Sequence, residues 1–362
     1  MALQKIPGRA IQLESQANSD VMYHNGTDWV RLAKGEAGQV LVVNDAGTFP
    51  QWGTSDWIYR GFIRGFSFGG ANHHDQPGGG GTGVWYFFAD IFSHEFASDG
   101  NAVDSTGNLT QSTHVGAGFS SETTSFMAGG SVSGGNAGST NVIESFPNAN
   151  PAAGGTDLAN LTSASNGVTP VSSLTHGYVH GIVASANFDK FAFANTTNAV
   201  GVHNLSFNHG GTQSAGATDS RNDYGYVAGG GSPTAINAIE RFSFANENNQ
   251  DDVGDLASIG GQASGCSSET NGYFLGPGNP TRVQRYAFAS SGNATQVSTL
   301  SSSGSARGNG MSSQTHGYVV GGEVHFTQID KFSFANETTW NDVGDLGTGE
   351  TTNRGHHSSS HF

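Results

Sequence analysis

The chain has 362 residues, 55 of them glycine, with charged residues at only 12% and a net charge of −15. That acidic balance, with lysine at four positions, excludes a phosphate-binding or anionic-membrane surface, which needs clustered Lys and Arg. A single cysteine, Cys266, excludes an intrachain disulfide, and no apolar run approaches the roughly 18 residues of a membrane span.

The first residues, Met1-Ala-Leu-Gln-Lys-Ile-Pro-Gly, show no apolar signal region, so a protein made and assembled in a cytoplasm is expected. Residues 1–58 lack any repeat and form a module of their own. Residues 21–32 read as a hairpin about Asn25-Gly26 that brings Tyr23 close to Trp29, and residues 39–52 read as a second hairpin. Two hairpins bury too little apolar area to stand alone. Trp29, Val40, Val42 and Trp52 are therefore expected at an assembly interface, covered by other copies of the chain or a larger assembly. Packing on the chain's own second domain is the alternative.

Residues 59–362 repeat. An aromatic followed by small residues recurs at Phe66, Phe126, Tyr178, Tyr226, Tyr273 and Tyr318, in steps of 60, 52, 48, 47 and 45 residues, the length of one four-stranded propeller blade. After most copies comes a strand with apolar residues at both parities, such as Ile239-Glu-Arg-Phe-Ser-Phe244 and Ile329-Asp-Lys-Phe-Ser-Phe334. Such a strand is buried on both faces, as in a blade between two neighbours. Its central acid and base (Asp189/Lys190, Glu240/Arg241, Asp330/Lys331) point to opposite faces and are expected to meet across adjacent blades as partly buried salt bridges. A leucine closes the next strand at positions 109, 161, 205, 256, 300 and 346. A small-residue run then precedes the next aromatic, as the innermost strand requires where backbones converge.

The end of the chain carries the same inner-strand pattern. Arg354-Gly-His-His-Ser-Ser-Ser-His-Phe362 matches the segment from Arg307-Gly and stops where the aromatic strand should follow. Gly65-Phe66 supplies that continuation. The predicted fold is thus an all-β, six-bladed β-propeller whose first blade is completed by the last strand, leaving no open edge.

Little in the sequence reads as chemistry. Cys266 aligns with Phe119, Val171 and Met311 of other inner strands, which makes it a core thiol. Asp251/Asp252 sit in a polar turn, and Gly78–Gly81 lacks the Lys-Ser/Thr of a phosphate loop. No catalytic residue, cofactor or metal is assigned. Ring closure would bring His73-His74-Asp75 near His356-His357, yet strand alternation sends the latter pair to opposite faces, against metal ligation. Recognition is expected on the variable loops between second and third strands, which share one face. The candidate ligand-binding residues there are His73, His74, Asp75, Gln76, Asn136, Asn279, Arg282 and His325.

Two resemblances follow. The Gly pair after the second strand, the aromatic third strand and the polar turn before the fourth (Gly321-Gly322, Phe332, Phe334, Trp340) resemble the kelch repeat, although the pair is reduced to Gly181-Ile182 and Gly276-Pro277 elsewhere. The words GTDWVRLAKGEAGQVLVVNDAGTFPQWG look like a module near the N-termini of phage tail-fibre and other virion proteins. That second resemblance implies a virion protein, assembled in the host cytoplasm. Residues 1–58 would anchor it to other virion proteins, in a homo-oligomer with a trimer favoured. The propeller would face outward for host attachment and receptor binding, with surface polysaccharide as ligand and no nucleic acid or membrane insertion. A capsid or tail decoration protein without an essential ligand, a propeller glycosidase or lyase, and an intracellular kelch-type scaffold are the alternatives.

Overall fold

A computed structural model describes residues 18, 20–35, 39–43, 48–54, 64–74, 84–133, 138–182, 186–194, 197–209, 214–230, 234–247, 250–261, 263–276, 281–290, 292–300, 309–321, 327–337, 340–346 and 356–358. The chain divides into two compact units, Met1–Ile58 and Tyr59–Phe362.

In the first unit Val21–His24 pairs with Trp29–Leu32, and Gln39–Val43 pairs with Pro50–Thr54. The Asn25 side chain accepts from the amides of Thr27 and Asp28 and sets the first turn, while Gly26 takes a positive φ of 99° that only glycine holds at no cost. Trp29 stands opposite His24, with ring centroids 5.5 Å apart, and not beside Tyr23 as expected; Tyr23 instead meets Phe49 at 6.1 Å. A two-residue slip in the turn reading accounts for the difference.

The second unit is a ring of six four-stranded antiparallel blades. Blades 2 to 6 run in chain order from Ala117–Ser120, Thr169–Ser172, Ala215–Asp219, Ser264–Ser267 and Asn309–Ser312 as inner strands. Blade 1 takes its outer three strands, Arg64–Phe68, Asp90–Glu95 and Val103–Asn108, from the start of the unit. Its inner strand is His356–Ser358, paired as His356↔Phe68, His357↔Ser67 and Ser358↔Phe66. The closure read from the sequence is the one observed over these residues; the rest of 354–362 lies outside the described residues.

The recurring aromatics hold the ring together by bridging blades. Five of the six second-strand aromatics lie on the last Phe of the following blade's third-strand segment, with centroids about 5 Å apart: Phe126 on Phe193, Tyr178 on Phe244, Tyr226 on Phe288, Tyr273 on Phe334, and Tyr318 on Phe96. The last pair joins blade 6 to blade 1. At the seam of blades 1 and 2, Phe66 instead meets Phe146 edge-on at 5.4 Å; all six second-strand rings are buried, and stacking adds to the burial term at the other five seams. The six leucines are buried as well, and each donates its amide to the residue just ahead of its blade's third strand, as Leu109 does to Ala89 and Leu346 to Thr327.

At the axis the inner strands of blades 4, 5 and 6 approach so closely that glycine alone fits at positions 216, 265 and 310, whereas blade 3 carries Pro170 at the same register. A Cβ on Gly265 would lie 1.9 Å from the Gly216 carbonyl oxygen, and one on Gly310 would lie 2.1 Å from that of Gly265. Cys266, opposite Tyr273 in this layer, is fully buried, and burial pushes its thiol far above the usual range, so it is a packing group. The Gly pair after the second strand has its own reason. Gly69-Gly70, Gly129-Gly130 and Gly229-Gly230 all take positive φ, which aims the second amide at a carbonyl in the loop leaving the same blade: Thr113, Ser165 and Gly260, at 2.7–2.9 Å.

Candidate functional site

The strand order sorts the connections onto two faces. Loops joining second to third strands, and outer strands to the next blade, form a loop face; the tight connections of the other two types form a turn face. Of the sequence-predicted ligand residues, His73, His74 and Arg282 are among the described residues. His73 and His74 lie on Ala71–His74, which pairs with Val84–Phe87 to extend a two-stranded hairpin from blade 1, with His73 opposite Trp85 and His74 opposite Val84. Strands thus flank the Gly-rich run, where the sequence reads only a flexible insertion. Arg282 opens the third strand of blade 5, half-buried, its Nε without a hydrogen-bond partner among the described residues. Asp75, Gln76, Asn136, Asn279 and His325 lie outside the described residues. Of the interface set, Trp29 is 50% exposed. Trp52 is half-buried and donates its indole N–H to the Ala33 carbonyl, and Val40 and Val42 lie on the paired strand Gln39–Val43. Around the axis the loop-face side narrows to a cavity of only about 40 Å³, lined by Gly118, Gly216, Gly265 and Gly310 among others, which is water-sized.

Between blades, the central acid and base of the third strand do not pair with one another's counterparts, and this corrects the salt-bridge expectation. A β-bulge sits just before the acid position in blades 2, 4, 5 and 6. The acid reaches back to the loop-face segment of the preceding blade, where backbone amides follow the closing leucine. Glu144 accepts from Thr110, Asp189 from the amide and hydroxyl of Thr162, Glu240 from Ser206 and Phe207, and the neutral Gln284 from Ala257. The base goes forward instead, on the turn face, to an acid three residues past the last Phe of the next blade. Lys190 reaches Glu247, Arg285 reaches Glu337 at 2.8 Å, and Lys331 reaches Asp99 at 2.8 Å. Arg241 would need an acid at position 291, which is Ser, and binds Asp251 of its own blade at 2.8 Å.

Two seams carry further features. At the seam of blades 6 and 1 the forward acid is Asp99, one methylene shorter than Glu247 and Glu337. Tyr178 and Tyr273 also donate to those glutamates, at 3.2 and 2.8 Å. Asp99 is 56% exposed, against 22% and 16% for the two glutamates. A groove of about 580 Å³ opens there on the turn face, lined by Asp99, His316, Lys331, Asn336, Asn341 and Asp342. The Thr315 hydroxyl lies 2.8 Å from Nδ1 of His316, and burial together with Lys331 holds this imidazole below its usual pKa.

The seam of blades 3 and 4 encloses three histidines that the sequence reading missed. His180 stands where other blades place Ala128, Ala228 and Val320, and His203 stands where they place Ala159, Gly254 and Gly344. His180 and His203 flank Phe188 at 4.7 and 4.8 Å, and neither has a hydrogen-bond partner on its ring nitrogens among the described residues. Burial drives His180 well below its ordinary pKa, helped by His209 and His203, and drives His203 to about 4 despite Glu247 and Glu240. His209 directs Nδ1 at the Gly229 carbonyl, 2.6 Å, and Nε2 at Glu240, 2.9 Å. Both partners are acceptors, so this fully buried pair closes only with a shared proton between imidazole and carboxyl. Burial pushes the Glu240 carboxyl up, but bonds from His209, Phe207 and Ser206 outweigh it and hold it below the usual range. Among the described residues no group of three or more His, Cys, Asp or Glu could hold a metal ion.

No protein-family model matches the chain, and no curated protein matches its sequence.

Proposed function

We propose that this chain is a fibre-type virion structural protein of a bacteriophage, anchored through residues 1–58 to other virion proteins and displaying the propeller for host-surface glycan attachment. The supporting observation is the first unit: two two-stranded hairpins that leave Met22, Trp29, Leu41 and Phe49 exposed. So small a unit with so much apolar surface gains its stability from partners, and copies of itself are the economical choice, as a trimer. The resemblance of residues 26–53 to virion attachment modules supplies the setting, and the kelch-like blade pattern supplies a rigid, loop-bearing head. Weak glycan contacts repeated over several copies give such a head useful avidity.

The buried third-strand acids tie seams by accepting backbone amides, which favours a binding head over a hydrolase. Electron microscopy of purified particles with an antibody against the propeller tests the reading. Label at a tail tip or baseplate is expected. Label confined to the capsid lattice supports the decoration protein instead, and a monomer absent from particles overturns both.

A further inference from the structure

We propose that the groove at the seam of blades 6 and 1, on the turn face, binds a neutral saccharide. The inference narrows the glycan part of the reading above and takes only the ligand class from it; the place of the site comes from the geometry.

The sixfold repetition of the seams is broken here. Three seams carry a base that crosses to an acid three residues beyond the next blade's last Phe. At two of them the acid is a mostly buried glutamate that takes a tyrosine hydroxyl as well. At the third, a 56% exposed aspartate lines a concavity of about 580 Å³, within the range of small-molecule sites.

Its lining sets the chemistry. Asn341 presents an amide that both donates and accepts, Asp342 a carboxylate acceptor, and the Lys331–Asp99 pair, at 2.8 Å, an ammonium and a half-exposed carboxylate that still has lone pairs to accept. Planar amide and carboxylate groups span the spacing of neighbouring hydroxyls, the dominant feature of a sugar. With two carboxylates against one ammonium and His316 held toward the neutral form, the lining is net negative, which disfavours sialylated or uronate ligands. The aromatics beneath it, Phe332 and Tyr318, are buried and provide no stacking platform. Affinity is therefore carried by hydrogen bonds, weak per site and useful when several copies engage one surface.

The test uses the full chain labelled at histidine and follows the His316 imidazole resonances during titration with neutral hexose oligosaccharides and with uronate oligomers of equal length. A saturable shift with a neutral series, at roughly millimolar concentrations, is expected, with little response to uronates. Asn341→Ala should weaken it about tenfold by removing an amide. Asp99→Glu, which restores the side chain used at the other seams, should abolish it with thermal unfolding unchanged. Val200→Ser, on an exposed outer strand of blade 3, should leave it intact. Equal responses from wild type and both groove variants overturn the proposal, as do a preference for uronates and the lack of any saturable shift. Groove binding by a protein absent from particles keeps this inference and removes the fibre reading; particle association without groove binding does the reverse.

Discussion

Acidification should loosen the seam of blades 3 and 4 before it affects the carboxylates. His203 has an ordinary pKa of 6.5 and is held at about 4 in the fold. Above pH 6.5 the ring is neutral folded and unfolded, and it contributes no pH dependence. Below 6.5 the unfolded chain binds a proton that the folded chain does not, so stability falls with pH until about 4, where the folded form also titrates. Each unit costs about 1.4 kcal/mol, so the 1.5 units between 6.5 and pH 5 cost about 2 kcal/mol from His203 alone. His180 acts in the same sense. The facing groups are His209, Glu240 and Glu247. Glu240, held below 4.5, loses its contribution only at lower pH, and Glu144, held above 4.5, has the opposite sign. Urea unfolding of the wild type and of a His180→Val/His203→Ser variant, each at pH 7 and pH 5, isolates the pair, because other titrations cancel in the difference. Val and Ser are the residues of blades 6 and 5 at these positions. The wild type should lose at least about 2 kcal/mol more than the variant over this interval. Equal losses would refute the reasoning.

Other outcomes follow from the same geometry. Gly265→Ala would place a methyl 1.9 Å from the Gly216 carbonyl oxygen and should cost about 1–3 kcal/mol in chemical unfolding. Glu240→Ala leaves His209 buried without its carboxylate and should cost about 3–5 kcal/mol, more than removing an exposed acid such as Asp251. Deleting residues 355–362 removes the partner of Arg64–Phe68, and hydrogen exchange of amides 64–68 should quicken while blade 4 stays protected. Trp29→Ser should lower the assembled mass in light scattering and leave the near-ultraviolet circular dichroism of the propeller intact.

The architecture was legible because its determinants repeat. A Tyr or Phe every 45 to 60 residues, a closing Leu and a small inner run mark four strands per blade, and the displaced inner-strand motif at Arg354 marks the closure. The seam chemistry was only half legible. Strand alternation shows that Asp189 and Lys190 diverge, but their partners depend on the bulge before the acid and on reach across the seam. In retrospect Glu247, Glu337 and Asp99 share one position after the last Phe, opposite a base in three preceding blades. His180 and His203 could have been found as large polar residues at positions that other blades give to small or aliphatic ones. The groove had no such signal, since one missing methylene at Asp99 matters only once the ring is closed.

Completing blade 1 with His356–Ser358 also sets an order of events for the ribosome. The strand holding Phe66 emerges early and waits for a partner nearly three hundred residues downstream, so at roughly 5–20 residues per second its edge stays unpaired for tens of seconds. During that interval the nascent chain offers an open edge to any neighbouring copy. Circular permutants that begin at an inner strand should be freed from that wait.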